Sequence, residues 1–357
     1  DYLLQESGVE NQEPGVGRRE PGIALCHAER SEASGPLGAD PSQSRNDKAG
    51  TPLADSIIGG EFEEALVDLA RWLDDPSESR PAGVRMLGLP AEPVVRRLAF
   101  GLPQRAGLPP LGRYARFERA GESRPAGYVE ASRGCKHTCT HCPITPVYGG
   151  RFFVVPRDVV LADIRQQVQA GARHITFGDP DFLNGPTHSL RIVRQLHTDF
   201  PEVTFDATIK IEHIVRHANI FPELAALGCA FVVSAVESLS DLVLARLEKG
   251  HTEADIDLAL DVMASAGIPL RPSLVSFTPW TTLNDYIHVL HFVQDRQLVE
   301  CIDPVQYAIR LLIPPGSAIL GSPDAAKWLG ELDAAAYSYR WRHPDPRIHA
   351  RIGMAPA

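Results

Sequence analysis

The sequence contains the stretch GYVEASRGCKHTCTHCP at residues 127–143, where a strand-like run leads directly into three cysteines. Residues 128–131 place apolar side chains at alternate positions, as a half-buried β-strand does. Cys135, Cys139 and Cys142 follow with the spacing Cys-x3-Cys-x2-Cys, which is compact enough to belong to one loop. The stretch therefore predicts a strand whose carboxyl end carries three thiol ligands.

Five more strand-like runs follow this stretch, and helical patterns separate them. Val160, Ile164 and Val168, for example, form an apolar stripe at helical spacing. Six strand–helix alternations predict an α/β fold with a parallel sheet and outer helices, closed as a barrel or partial barrel. Functional groups then belong on loops at the carboxyl ends of the strands. The predicted strands are residues 128–131, 174–177, 204–208, 231–236, 270–277 and 305–311.

The three cysteines favour an iron–sulfur cluster over a zinc site. Three thiolates on one loop can bind three irons of a cubane and leave the fourth iron open to a ligand. The alternative is a structural zinc site completed by His137 or His141, on a barrel without catalytic activity. Zinc sites of that kind usually draw their ligands from two separated pairs, and the sequence offers no second pair. The cluster is therefore the prediction. The alternative function is a non-catalytic protein on the same barrel scaffold that binds zinc or an iron–sulfur cluster.

The overall composition disfavours several classes of function. The chain has 357 residues, 44% of them hydrophobic, and a formal net charge of −10 at pH 7. This charge disfavours a nucleic-acid partner or an anionic membrane surface, since both need a basic face. No apolar run has the length of a membrane-spanning helix. Six cysteines, three of them in one loop, favour metal ligation in the reducing cytoplasm over a disulfide framework.

The chain divides into four predicted segments. Residues 1–54 are rich in Gly, Pro, Ser, Glu and Arg, so a disordered leader is expected. Residues 55–125 begin with apolar residues at roughly helical spacing from Ile57 to Trp72 and continue as a Pro/Gly-rich linker. Residues 126–320 hold the six strand–helix units. Residues 321–357 are expected to be a truncated C-terminal extension.

A three-cysteine loop after the first strand of such a series resembles the radical S-adenosylmethionine (SAM) superfamily over residues 127–315. The resemblance implies a partial (β/α)6 TIM-like barrel and a [4Fe–4S] cluster on Cys135, Cys139 and Cys142. In that family SAM chelates the fourth iron, and one electron cleaves it to methionine and a 5′-deoxyadenosyl radical. The backbone of His141 is expected to contact adenine, and an electron donor such as a flavodoxin or ferredoxin is implied.

The resemblance also assigns a role to the turn after the second strand. Gly178, Asp179 and Asp181 lie where the family has a glycine-rich or acidic turn that holds the SAM ammonium. A carboxylate suits a cationic amine, so Asp179 or Asp181 is the predicted ligand. The alternative is an Asx-type turn that only caps the next helix.

Residues near the later strands complete the predicted SAM site. Glu237 is expected to bond the SAM ribose or amine, and Ser238 to cap a helix. Lys249, one helix later, is either part of the site or a solvated helix-end cation. Arg271 and Arg310 are candidates for the SAM or substrate carboxylate, with an ordinary ion pair as the alternative.

The Glu-Ser and Lys-Gly-His pairing resembles the branch of the superfamily that contains methylthiotransferases and cobalamin-dependent enzymes. Residues 54–63 resemble the join between a cobalamin domain and a barrel, and residues 130–183 most resemble a branch named for its Cys- or selenocysteine-Ala-Glu-Pro tail. The cobalamin domain is expected to be absent, because residues 1–54 lack the Asp-x-His-x-x-Gly motif of a cobalt-ligating histidine. The resemblance implies radical chemistry, methyl or alkyl transfer being the expected subtype. It identifies no substrate beyond a small molecule or peptide.

Overall fold

The computed structural model describes residues 56–75, 77, 84–86, 95–97, 99–119, 121–333 and 335–351. The predicted leader, residues 1–54, lies outside these ranges. In the described part, the strands are β1 (Ser56–Ile58), β2 (Val84–Met86), β3 (Arg116–Arg119), β4 (Glu122–Val129), β5 (Ser132–Gly134), β6 (Phe152–Val154), β7 (His174–Phe177), β8 (Thr204–Thr208), β9 (Cys229–Glu237), β10 (Leu270–Leu274), β11 (Leu329–Asp333) and β12 (Ser338–Trp341).

The helices alternate with the strands of the central sheet. Two of them begin with a capping box, in which a threonine and an aspartate three residues later bond each other's backbone N–H: Thr252 with Asp255 and Thr282 with Asp285. The described helices are α1 (Phe62–Asp74), α2 (Thr145–Tyr148), α3 (Arg157–Gln169), α4 (Pro186–Asp199), α5 (Ile211–Arg216), α6 (Phe221–Ala226), α7 (Asp241–Arg246), α8 (Glu253–Ala266), α9 (Leu283–Asp295) and α10 (Pro346–Arg351).

The central sheet has the strand order β10-β9-β8-β7-β4-β3. Strands β4, β7, β8, β9 and β10 run parallel, and β3 closes one edge as the antiparallel partner of β4. Large apolar side chains such as Phe177, Phe205 and Ile192 are fully buried in one cluster of the core. The sheet is curled into a half-barrel, so the predicted partial TIM-like fold is confirmed.

The sixth predicted strand, residues 305–311, is reduced to a single β-bridge. Phe277 and Arg310 form a single parallel bridge, while Pro304–Ala308 form a short 3-10 helix. Proline cannot donate to a strand ladder and fits the first turn of a helix. Val305 is largely exposed and Leu311, at the end of the run, is buried, so the run lacks the alternating buried positions of a sheet strand. The prediction of a full strand at this position was wrong, although the position itself continues the half-barrel beyond β10.

Other boundaries also differ from those predicted: β9 is longer than the predicted 231–236, and β10 ends at Leu274 and not at residue 277. The first parallel strand begins earlier, because β3 and β4 form a hairpin, and it ends at Val129. Ile57 lies in β1, paired antiparallel with β2, and helix α1 begins only at Phe62. Gly60 separates the two elements with a φ of 78°, which glycine adopts readily and which interrupts the helical pattern.

The orientation of the sheet places the cysteine loop and the turns after β7 and β9 at one end. Carboxyl ends of parallel strands meet at the same edge, and this edge carries the functional groups of barrel enzymes. None of the described helices combines the length and apolarity needed to cross a membrane.

Candidate active site

The cysteine loop is held between two short antiparallel strands. Strands β5 and β6 pair from Ser132 with Val154 to Gly134 with Phe152, so residues 135–151 form a closed loop between them. Gly134 has a φ of 76°, and a Cβ placed there would lie 2.5 Å from the carbonyl oxygen of Arg151. Only glycine allows the backbone to turn this tightly into the first cysteine.

Distant segments anchor the same loop through backbone hydrogen bonds. The Thr140 N–H donates to the Leu247 carbonyl at 3.0 Å, and the Thr140 carbonyl accepts the Ile319 N–H at 3.0 Å. Within the loop, the Cys142 N–H donates to the Cys139 carbonyl at 3.1 Å. The cysteine positions are thus fixed by the end of α7 and by the C-terminal segment as well as by local turns.

The three loop cysteines are free thiols, and their surroundings fit a cluster of iron and sulfide. Cys139 is buried, while Cys135 and Cys142 are partly exposed. Burial raises the pKa of the Cys139 thiol, and the ammonium groups of Lys249 and Lys210 oppose that rise. Two lysines beside three thiolates supply the positive charge that a buried anionic cluster needs. The donor set is therefore suited to [4Fe–4S] ligation with one iron left open.

Asp179, one of the two predicted ammonium ligands, supports the start of the cysteine loop. Its Oδ2 accepts the Ala131 N–H at 2.9 Å, and its Oδ1 accepts the Ser132 hydroxyl. Burial raises the pKa of Asp179 to about 6, against the lowering effect of these two hydrogen bonds. Both oxygens are engaged in joining the end of β7 to the segment between β4 and β5.

We predict that Asp179→Ala destabilises the protein, because it leaves the Ala131 N–H buried without an acceptor. An unsatisfied buried group costs about 1–3 kcal/mol, and the free energy of unfolding in urea measures this for the cluster-free protein. Asp158→Ala is the matched control, since the Asp158 side chain is 86% exposed. Equal stability of the Asp179 and Asp158 variants would contradict the supporting role.

Asp181, the second predicted ammonium ligand, faces two histidines. Its Oδ2 lies 2.7 Å from His213 Nδ1 and 3.5 Å from His137 Nε2. Its Oδ1 accepts the N–H groups of Leu183 at 3.2 Å and of Lys210 at 3.5 Å. Burial raises the pKa of Asp181, but the two imidazoles outweigh it and lower the pKa to about 2. The carboxylate is therefore an anion held between two rings.

Glu237, His141 and Lys249 come together at the end of β9. Glu237 Oε1 lies 3.1 Å from His141 Nε2 and 3.2 Å from the Lys249 ammonium. Burial raises the pKa of Glu237, but His141 and Lys249 outweigh it and lower the pKa to about 2. Lys249 is 4% exposed, so the alternative of a solvated helix-end cation is wrong.

The backbone at Glu237 is strained. Its φ is 65°, and the pairing between β9 and β10 shifts register at this residue. A non-glycine residue in the left-handed region costs of order 1–3 kcal/mol and persists where the surroundings impose it, often at functional sites. At this strained position the Glu237 side chain extends to the cysteine loop and contacts His141.

Gly178 and Ser238 lie beside these groups. The Gly178 N–H donates to the Val129 carbonyl at 2.8 Å, and the Tyr128 ring lies where a Cβ of residue 178 would stand. Ser238 Oγ accepts the N–H of Ser240 at 3.1 Å, in a turn that leads into α7. The N-cap position of α7 is Ser240, two residues later, so Ser238 is not the cap of this helix.

The two predicted arginines lie elsewhere. Arg271 stacks on Phe231 with 4.9 Å between the guanidinium carbon and the ring centre, and it lines a cavity of about 460 Å³ inside the half-barrel. Arg310 stacks on Trp341 at 4.4 Å and donates to its carbonyl at 3.2 Å. Among the contacts of the described residues, neither arginine touches the cysteine loop or forms the ordinary ion pair considered as the alternative.

An ion-pair network that the sequence did not indicate lies directly before the first cysteine. Arg133 donates to Glu61 at 2.9 Å and to Glu130 at 2.9 Å, and the Tyr148 hydroxyl donates to Glu61 at 2.7 Å. Glu61 is buried, and Glu63 also bonds Arg133. The segment before α1 is thus attached to both ends of the cysteine loop.

Comparison with known families matches residues 129–292 to the radical SAM superfamily. Among curated proteins, the ribosomal protein uS12 methylthiotransferase RimO of Geobacter sulfurreducens is 28% identical over 196 residues, covering 49% of this chain and 41% of the relative. A tRNA-2-methylthio-N(6)-dimethylallyladenosine synthase of Pseudomonas aeruginosa is 24% identical over 199 residues, covering 50% and 43%. The chain thus spans about two fifths of the length of these relatives.

Solved structures share the fold. The cobalamin-dependent SAM radical enzyme OxsB, solved with aqua-cobalamin bound, aligns with a TM-score of 0.67 at 18% identity and covers 83% of this chain and 50% of its own. The radical SAM methyltransferase TsrM of Kitasatospora setae, solved with cobalamin and a [4Fe–4S] cluster, aligns with a TM-score of 0.53 at 16% identity and covers 68% and 49%. At such identities the likeness establishes the fold.

Proposed function

We propose that this chain, whose residues 129–292 belong to the radical SAM superfamily, binds a [4Fe–4S] cluster through Cys135, Cys139 and Cys142 and cleaves SAM reductively. The observation that carries the proposal is the position of three free thiols on a loop at the carboxyl edge of a parallel half-barrel. The family match does not favour the alternative of a non-catalytic zinc protein.

The bound cluster would supply one electron and an open iron for the SAM amino acid group. The chain's own residues would orient SAM around that iron. Glu237 uses Oε1 for His141 and Lys249, and Oε2 makes no hydrogen bond within the described residues, so we assign it to the SAM amine or ribose. The backbone of His141 and Gly178 would border the adenosine. Asp179 would hold the start of the cysteine loop in place, and Lys249 would balance the negative charge of Glu237.

Methyl or alkyl transfer is the reaction subtype we propose. The named activities of the relatives, methylthiotransferase and methyltransferase, support it. The cobalamin-dependent neighbours support a role for cobalamin. Its binding site would have to be supplied by residues outside the described ranges or by a partner. We propose a small molecule or peptide as substrate, a flavodoxin or ferredoxin as electron donor, and the cytoplasm as the compartment, because its reducing conditions preserve free thiols.

The fate of the SAM methyl group tests the subtype. Reduced, cluster-loaded protein is incubated with methyl-labelled SAM, hydroxocobalamin and a fractionated small-molecule and peptide extract. Methyl transfer predicts S-adenosylhomocysteine and a labelled acceptor. Formation of methionine and 5′-deoxyadenosine alone, with no labelled acceptor in any fraction, would exclude methyl transfer while leaving reductive cleavage in place.

A further inference from the structure

Three side chains next to the cysteine loop converge on one point. His137 lies between the first two cysteines, Asp181 follows β7, and His213 lies in α5. One ligand atom from each residue lies within 4.8 Å of the other two. His213 and Asp181 are buried at 4% and 2% exposure. Residues from three separate elements therefore form one cluster of two imidazoles and a carboxylate.

The converging atoms lack hydrogen bonds. His137 Nε2, Asp181 Oδ2 and His213 Nδ1 are each buried and make none within the described residues, although Oδ2 lies 2.7 Å from one nitrogen and 3.5 Å from the other. Buried polar atoms are normally paired, because an unpaired one costs about 1–3 kcal/mol. Three such atoms aimed at each other indicate a missing common partner.

We propose that His137, Asp181 and His213 bind a divalent transition-metal ion, separate from the cluster on the cysteines. Ligand atoms about 2.1 Å from a metal stand about 3.0–3.4 Å apart in octahedral or tetrahedral geometry. The two nitrogen–oxygen distances lie on either side of that range. A shift of a few tenths of an ångström brings both into it. None of its ligands is one of the three cysteines, so the ion and the cluster can be bound at the same time.

The surrounding groups complete the site. Asp181 Oδ1 accepts two backbone N–H groups, which orients Oδ2 toward the histidines. Glu212 Oε2 lies 3.7 Å from His137 Nδ1 and can accept its N–H, as carboxylates do for metal-bound histidines. Lys210 lies 3.0 Å from His137 Nδ1 and 3.3 Å from Glu212. Metal binding through Nε2 places the ring proton on Nδ1, so Lys210 would give up its hydrogen bond to Nδ1 and keep the one to Glu212.

The donor set selects the class of ion. Two imidazole nitrogens and one carboxylate oxygen suit Zn²⁺ or Fe²⁺ and leave coordination positions open. Mg²⁺ and Ca²⁺ prefer sites made of oxygen atoms. Asp181 is the one carboxylate among the three ligands, and its negative charge favours a cation at this point. The ion would connect the cysteine loop to β7 and α5.

Zinc analysis of the cluster-loaded protein tests the proposal. Anaerobically reconstituted protein is equilibrated with Zn²⁺, desalted, and analysed for zinc, iron and sulfide together. Full iron and sulfide show that the cysteines are occupied, so about one retained zinc per chain must lie elsewhere. His213→Gln and Asp181→Asn should each lower retained zinc at least tenfold. His217→Gln should retain it, since His217 lies one turn later on the same segment and is not part of the cluster.

A second measurement covers the case in which a variant folds poorly. Zn²⁺ should raise the melting temperature of the wild type and of His217→Gln, because an ion that binds only the folded state stabilises it. No retained zinc and no such rise in the wild type would overturn the proposal. So would a folded His213→Gln protein that retains zinc as the wild type does.

Discussion

Replacing Cys135, Cys139 and Cys142 together by alanine should abolish iron and sulfide binding. Wild-type protein reconstituted without oxygen should hold about four irons per chain, with absorbance that dithionite bleaches, as thiolate-ligated clusters show. The triple variant removes every protein ligand of the proposed cluster. Colorimetric iron and acid-labile sulfide analysis measures the loss.

Cys229→Ala is the matched control for this loss. Cys229 is also a free cysteine, buried in β9. Burial raises its pKa well above that of an ordinary thiol, so it is inert. The control should keep the wild-type iron and sulfide content. Stoichiometric zinc without sulfide in the wild type would contradict the cluster and restore the zinc alternative.

Replacing Glu237 by glutamine should weaken SAM binding about 10- to 100-fold while the cluster is retained. We assign the free oxygen of Glu237 to the SAM amine or ribose, and a hydrogen bond to a charged group contributes about 1.5–3 kcal/mol. The neutral amide also leaves the Lys249 ammonium without its partner. Equilibrium dialysis of SAM against cluster-loaded protein measures the affinity.

Glu248→Gln provides the comparison for Glu237. Glu248 is exposed and directly precedes Lys249, so its substitution changes the charge of the same segment without entering the site. It should bind SAM as tightly as the wild type. An unchanged SAM affinity of Glu237→Gln, at full cluster content, would remove Glu237 from the SAM site and leave it as the buried partner of Lys249.

Local signals made the fold and the position of the cysteine loop predictable. The cysteine loop is defined within eight residues, and the parallel strands β7, β8 and β9 are short apolar runs whose pattern survives in the structure. The prediction of the sixth strand failed because residues 305–311 do not alternate between buried and exposed positions, Leu311 being the one buried residue among them. The prediction that the helix begins near Ile57 was wrong. The apolar spacing from Ile57 continues into α1, but Gly60 separates the two elements.

Several residues of the candidate site were predicted, but their contacts were not. Glu237 and Lys249 were each predicted from a motif. Only the fold shows that the Glu237 carboxylate contacts both Lys249 and His141. The ion pair between Arg133 and Glu61 joins residues 72 positions apart, a separation at which no periodicity or spacing rule applies.

His213 escaped prediction for a similar reason. It lies on a short helix with His217 as its neighbour in the sequence, and it meets Asp181 and His137 only when α5 packs against the turn after β7. The sequence offered one signal for this region. Lys210 follows β8 and therefore lies at the carboxyl edge of the sheet, close to His213 in the chain.

Reductive cleavage of SAM by the cluster-loaded protein tests the central claim most directly. The reconstituted wild type and the triple cysteine variant are incubated with SAM and dithionite without oxygen, and methionine and 5′-deoxyadenosine are quantified by mass spectrometry. We predict that the wild type forms both products in equal amounts and that the triple variant forms neither. A wild type that carries its full cluster and binds SAM, yet forms neither product, would contradict the proposed function.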